Sequence, residues 1–362
     1  MRELNSVKKF SEDSTELYKA FKDYADNVLA VERGVKGKVF SDVSLDDKEK
    51  VINKLFAEEV AKRSNISVDA YNGEFKHYAE NPVVRSFADA IFDSMIDMVL
   101  PEALNTSVGL IAEIDYVDWG DSAKFELENN ALFNVAEAGY RQKNTLFQQL
   151  ENTTVTLAPE PREVSVIATL FDLLTGRKSV AKYVMKAVKS IEIEMANEAW
   201  EAFQTAVSAS TVPTALKVTN FTQDSAITLA EIVTAWNNGK KAVFAGTPLA
   251  LKNILPSNSN YRYSLDDAMV KLGYIPNFNT YDVIPTPNFA DKDSTTYGLK
   301  LPNDKIYVVS PSADKPIKVV VGGTLSIPSG TYENANLAQT HTIMKSWKAG
   351  CVTNAIAGVI SL

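Results

Sequence analysis

The chain has 362 residues, 45% of them hydrophobic and 23% charged, and a formal net charge of −8. That acidic balance speaks against a surface built to grip nucleic-acid phosphates, which is normally basic. A single cysteine, Cys351, excludes an internal disulfide framework and a cysteine-built zinc site. No cationic-then-apolar leader and no apolar run of bilayer length is present, so the expectation is a soluble protein made in a cytoplasm.

Residues 1 to about 110 read as polar and mostly helical. A helix is predicted from Glu12 to Arg33, with Leu17, Phe21, Tyr24, Val28 and Val31 on one side and Gly34 and Gly37 closing it. Ser44 caps a second helix, with Asp47 as its acidic partner and Val51, Leu55, Phe56 and Val60 inward. A third runs from Pro82 to Leu100 and is expected to stop at Pro101. The stripes are narrow and the segment is charged, which predicts an arm or a packing extension more than the main core.

From residue 111 the period changes towards β. Trp119-Gly120-Asp121-Ser122 reads as a turn and Thr154–Leu157 is the clearest strand. The stretch to residue 162 reads as a long, acidic, two-stranded excursion, and such a ribbon is marginal in water without a partner surface.

A strand starting at Glu163 and a Thr-Gly turn then lead into the longest helical pattern. Val180, Val184, Ala187, Val188, Ile191, Met195, Ala199 and Ala202 recur at spacings of three and four. A helix from about Lys178 to Ser208 would be roughly 45 Å long. Its charges run against the helix dipole: Arg177, Lys178, Lys182, Lys186 and Lys189 come first, then Glu192, Glu194, Glu198 and Glu201. A solvated charged face accounts for this; so does an acidic element from elsewhere lying across the basic half.

The remainder alternates short helices and strands. Thr228 is expected to cap a helix ended by Gly239, and Thr247-Pro248 to open one from Leu249 to Leu255. A further helical turn follows Ser264 and ends at Gly273. YDVIPTP, KIYVVSP and IKVVVGG read as buried strands, with Gly322-Gly323 as a turn and a terminal β pair after it.

Residues with reactive chemistry are sparse. The two histidines, His77 and His341, lie in no recognised motif and read as surface or structural, and Cys351 reads as a buried, inert thiol. Asn238-Gly239-Lys240-Lys241 lacks the surrounding residues of a phosphate loop, and the adjacent Asp266-Asp267 suit a helix start. No catalytic residue, cofactor site or metal site is predicted.

The order of parts resembles the HK97-type major capsid protein of tailed bacteriophages: an acidic β excursion, a DLLTGR strand-turn leading into a long helix, KAVFAGTPLALKNIL and YDVIPTP, then IKVVVGGTLSIPSG and HTIMKSWKAGCVTNAIAGVISL. The resemblance implies an α+β capsid fold. Its parts would be a helical N-terminal arm (1–113), an E-loop (114–162) with its extended part from Asp118 to Pro161, a peripheral domain with the spine helix (163–224), an axial domain (225–316) and peripheral return strands (317–362). It implies that the E-loop lies over a neighbouring subunit. The intersubunit residues would then be Arg177, Lys178, Lys182, Lys186 and Lys189 on the helix. On the loop they would be Asp118, Asp121, Glu126, Glu128, Glu137, Arg141, Lys143 and Glu151. Some relatives crosslink an E-loop lysine to an asparagine; Lys124 or Lys143 with Asn334 or Asn336 would be the candidates, but the sequence does not place the acidic residue such a link needs, and no crosslink is expected.

The implied partners are further copies in pentamers and hexamers, portal and scaffolding or decoration proteins, and double-stranded DNA held by enclosure without sequence reading, with no membrane. The place is the virion, with synthesis in the bacterial cytoplasm. Two alternatives stand beside it: an encapsulin-type compartment with a protein cargo, against which the long N-terminal segment argues, and an α/β enzyme using residues 225–316.

Overall fold

The computed structural model describes residues 15–32, 44–67, 81–127, 129, 152–167, 173, 176–254, 272–291, 297–328 and 340–362. His77, Asp266, Asp267, Glu128, Glu137, Arg141, Lys143, Glu151, Asn334, Asn336 and the helical turn expected after Ser264 lie outside the described residues.

Three helices come first: α1 (Thr15–Glu32), α2 (Leu45–Arg63) and α3 (Pro82–Val108). Ser44 caps α2 as expected, accepting from the Asp47 amide at 3.2 Å and donating its hydroxyl to the Asp47 carboxylate at 2.7 Å. The inward side of α2 is formed by Ile52, Phe56 and Val60, while Val51 is exposed. Helix α3 does not stop at Pro101. It runs a further two turns, because Leu100, Ala103, Leu104 and Val108 are all buried, and that burial offsets the backbone hydrogen bond the proline removes. Nor do these helices stand apart as an arm. Phe21, Phe56, Ile91 and Met95 belong to the same buried cluster as the long helix and the first sheet. The narrow stripes mislead because α3 is buried on several sides around Ile91–Asp97, which blurs the periodicity.

The long helix α4 (Val180–Ser208) has 29 residues and starts two residues later than expected, at the Ser179 cap. Val184, Val188, Ile191, Met195 and Trp200 are buried along it. It lies against a four-stranded sheet in the order β1 (Ala112–Tyr116), β10 (Ile317–Pro328), β11 (Thr340–Cys351), β4 (Glu160–Ile167). The β1–β10 pair is parallel and the other two are antiparallel. Gly322-Gly323 is not a turn. The strand runs through it with a register shift between Val321 and Thr324. A Cβ at Gly322 would sit 2.0 Å from Ser346 Oγ, so the glycine serves close approach of two strands.

The acidic excursion begins as a ribbon of β2 (Ala123–Leu127) and β3 (Thr153–Leu157). Its base is not short of apolar surface. Ala123 and Phe125 are buried with Val117 and Val320, with Leu157 against them.

A second sheet of six strands runs β5 (Lys217–Thr219), β12 (Gly358–Ser361), β9 (Lys305–Val309), β6 (Val243–Gly246), β8 (Tyr281–Pro285), β7 (Asn277–Phe278). The last strand therefore pairs with β5 and β9 and not with β11, so no terminal β pair forms. Helix α5 (Gln223–Trp236) covers this sheet; its cap is Thr222, in a reciprocal box with Ser225, and not Thr228. Gly239, at φ 78°, closes it, with its amide on Thr234 O at 2.9 Å. Helix α6 (Pro248–Leu251) is capped by Thr247 and is shorter than expected. Helices and sheets segregated in this way make an α+β protein.

Candidate assembly surfaces

The reversed charges of α4 are met from other elements of the same chain. At the basic end, Lys182 Nζ lies 3.0 Å from Glu49 and 3.8 Å from Asp46, both on the first turns of α2. Glu49, which also accepts from the Tyr24 hydroxyl at 3.0 Å, holds the Lys182 ammonium above its ordinary pKa. Lys189 pairs with Glu192 at 3.2 Å, and buried Glu192 also accepts from the Ser107 hydroxyl of α3. Lys186 is different. It is exposed and has no ion-pair partner among the described residues. With Lys189 it rims a recess of about 210 Å³ floored by Leu29, Met185 and Val188. Arg177 and Lys178 stand at the exposed entry to the helix.

At the acidic end, Glu198 accepts from Trp347 Nε1 at 2.8 Å and lies 3.5 Å from Arg162, whose guanidinium also sits 5.8 Å from the centre of the Trp347 ring. Glu201 is 3.2 Å from Lys300. Basic half and acidic half are thus partly neutralised by α2 on one side and by β4 and the loop before β9 on the other. Between them the α4 surface keeps exposed charge of both signs.

On the ribbon, Asp118 is half-buried, and Asp121 and Glu126 are exposed. The Asp121 amide closes the Trp119-Gly120 turn on Asp118 O at 3.1 Å. Lys124 and Glu126 alternate with buried Ala123, Phe125 and Leu127, so β2 turns its charged face outward. The structure does not bring Asp118, Asp121 or Glu126 onto the basic half of α4 within one chain by any described contact.

Two features were not legible in the sequence. Lys345 and Asp97 form a sealed pair, and Lys318, fully buried, is held by Asp314 and by Glu113 at 2.6 Å. Lysines in strands read as outward residues, and only the carboxylates brought to them by α3, β1 and the turn before β10 reveal otherwise. Cys351 is half-buried, and burial pushes its thiol up, which suits an unreactive residue. Among the described residues no group of acidic, histidine or cysteine side chains is arranged to hold a metal ion.

A family model described as "SPbeta prophage-derived putative capsid protein YonB" matches residues 25–361. No curated protein sequence matches the chain. Among solved structures, the capsid of a native GTA particle is similar at 10% identity and a TM-score of 0.45, over 71% of this chain and 90% of that one. The bacteriophage PhiM1 mature capsid is similar at 11% identity and a TM-score of 0.44, over 70% and 85%. A virus-like particle from Pyrococcus furiosus is similar at 9% identity and a TM-score of 0.41, over 72% and 96%.

Proposed function

The chain belongs to the YonB family of prophage-derived capsid proteins, and from that premise we propose that it is the major shell-forming subunit of a phage head. The observation that carries this reading is the span of the family match, residues 25–361, which takes in both sheets, the ribbon and the long helix. The role is structural and not enzymatic: copies of one chain associate, each through modest contacts repeated by symmetry, until a closed shell forms.

In that shell, the unit around the six-stranded sheet meets its counterparts at pentamer and hexamer axes. The four-stranded sheet with α4 forms the peripheral part. The excursion that β2 and β3 open, ending before β4, reaches over a neighbouring copy, where Asp118, Asp121, Glu126, Glu128, Glu137 and Glu151 come near Arg177, Lys178, Lys186 and Lys189. Supporting this are the exposed charged face of β2 and the exposure of Lys186, which has no ion pair among the described residues. Portal, scaffolding or decoration proteins complete the particle, and double-stranded DNA is enclosed without being gripped, which suits a net charge of −8. Synthesis takes place in the bacterial host's cytoplasm.

Negative-stain microscopy and light scattering on the purified chain test the reading. Capsomers or closed shells are expected. A stable monomer at every concentration would overturn it. Particles filled with one co-purifying protein in place of DNA would favour a cargo compartment instead.

A further inference from the structure

Among the described residues the groove between α4 and β4 is lined by more carboxylates than cations. It has a volume of about 670 Å³ and runs along the acidic half of α4. Three of its carboxylates, Glu194, Glu198 and Glu201, follow each other at helical spacings of four and three. Glu198 is met by Arg162 and by the Trp347 indole, and Glu201 by Lys300. Glu194 is exposed and has no hydrogen-bond or ion-pair partner among the described residues.

Beside Glu194, on the next turn, Asn197 is only 6% exposed and lines the same groove, yet its Oδ1 has no hydrogen-bond donor among the described residues. A buried acceptor left unpaired costs about 1–3 kcal/mol, so this position asks for an N–H. The groove's other wall asks for the same. Among the described residues β4 pairs with β11 alone and is the outer strand of its sheet, with Arg162, Glu163 and Val164 on the groove.

We propose that this groove receives an extended segment of a second copy of the chain, added along β4, with a lysine or arginine side chain placed between Glu194 and Asn197. The two cations already present define the rule the incomer follows. Each carboxylate on this edge of α4 is answered by a cation from an adjacent strand or loop, and the third is supplied in trans. Main-chain hydrogen bonds to β4 give the attachment, and the Glu194 position gives its register. The inference rests on the shell reading above, since only there are copies packed side by side.

The test places a photo-reactive benzoylphenylalanine at Ser190, which lines the groove one turn from Glu194, in full-length chain co-expressed as tagged and untagged copies. Illumination of assembled particles should give tagged–untagged dimers, and the captured peptide should carry a lysine or arginine. Glu194→Lys, which supplies the cation within the chain, should lower the dimer yield at least tenfold, while Glu194→Gln should lower it less. Capture only within one copy, capture only of a different protein, no capture, or a yield unchanged by Glu194→Lys would each overturn the proposal. Light scattering separates the two readings: shells that form without capture sink the groove and leave the shell, whereas no particle from the unaltered chain sinks the shell itself.

Discussion

Asp97 of α3 and Lys345 of β11 meet at 2.5 Å with both side chains sealed from solvent, and the Thr324 hydroxyl donates to the same carboxylate oxygen. The Thr324 amide donates to the second oxygen at 3.3 Å. One carboxylate thus ties a helix from the first third of the chain to both central strands of the four-stranded sheet, directly after the irregularity at Gly322-Gly323. Removing one partner strands a buried charge, a loss of about 3–5 kcal/mol. Lys345→Met or Asp97→Asn alone should therefore lower the urea midpoint of the unassembled chain sharply. The double change Asp97→Leu with Lys345→Met should recover much of the loss. A single variant as stable as the parent would show that the pair is not the tie described.

Gly322 makes a second, independent prediction about the same strand pair. A Cβ there would lie 2.0 Å from Ser346 Oγ and 3.3 Å from Ser346 Cβ. Gly322→Ala should destabilise by about 1–3 kcal/mol, as overpacking does. Adding Ser346→Gly removes both clashing atoms, and it should restore most of the loss in a denaturation experiment. Equal instability of the single and double variants would place the strain elsewhere.

These two sites also mark where the sequence is readable and where it is not. The course of α4, the Ser44 and Thr247 caps and the Val- and Ile-rich strands are local patterns, and local patterns survive translation into structure. Nothing local marks Asp97 and Lys345 as buried, because each one's partner lies far along the chain, and Lys318 is sealed with Glu113 from far away as well as with nearby Asp314. Pro101 looked like a stop because the burial that carries α3 past it comes from other elements. Gly322-Gly323 looked like a turn because a strand irregularity and a turn use the same residue for different reasons. On α4 the reversed charge order was plain in the sequence. The in-chain partners from α2, β4 and the loop before β9 were not.

Lys182 and Lys186, one turn apart on α4, should separate folding from assembly. Lys182 is engaged with Glu49, whose side chain is 9% exposed. Lys182→Glu places like charges together there and should lower the melting temperature of the unassembled chain by a few degrees. Lys186 is exposed and without an ion pair among the described residues, so Lys186→Glu should leave that temperature unchanged while slowing or preventing particle growth in light scattering. Normal assembly of the Lys186→Glu chain would remove the proposed contact between the ribbon and the basic half of α4.

Alkaline pH should unfold the chain before its buried phenols ionise. Burial raises Tyr183 to about 12, and pushes Tyr24, Tyr116 and Tyr307 higher still, with Glu49 adding to the effect at Tyr24 and Asp304 at Tyr307. In the unfolded chain these groups lose their protons near pH 10. Between that pH and their folded values the unfolded state binds fewer protons than the folded one, so stability falls as pH rises; below about pH 10 both states are protonated and these residues contribute no slope. Melting temperature should therefore be insensitive to these tyrosines from pH 7 to 9 and fall steeply above 10. The ultraviolet signal of tyrosinate from the buried set should appear together with loss of circular dichroism, not ahead of it. Tyr183→Phe should shallow the alkaline slope without changing stability by more than about 1 kcal/mol at pH 7, and an unchanged slope in that variant would remove Tyr183 from the account.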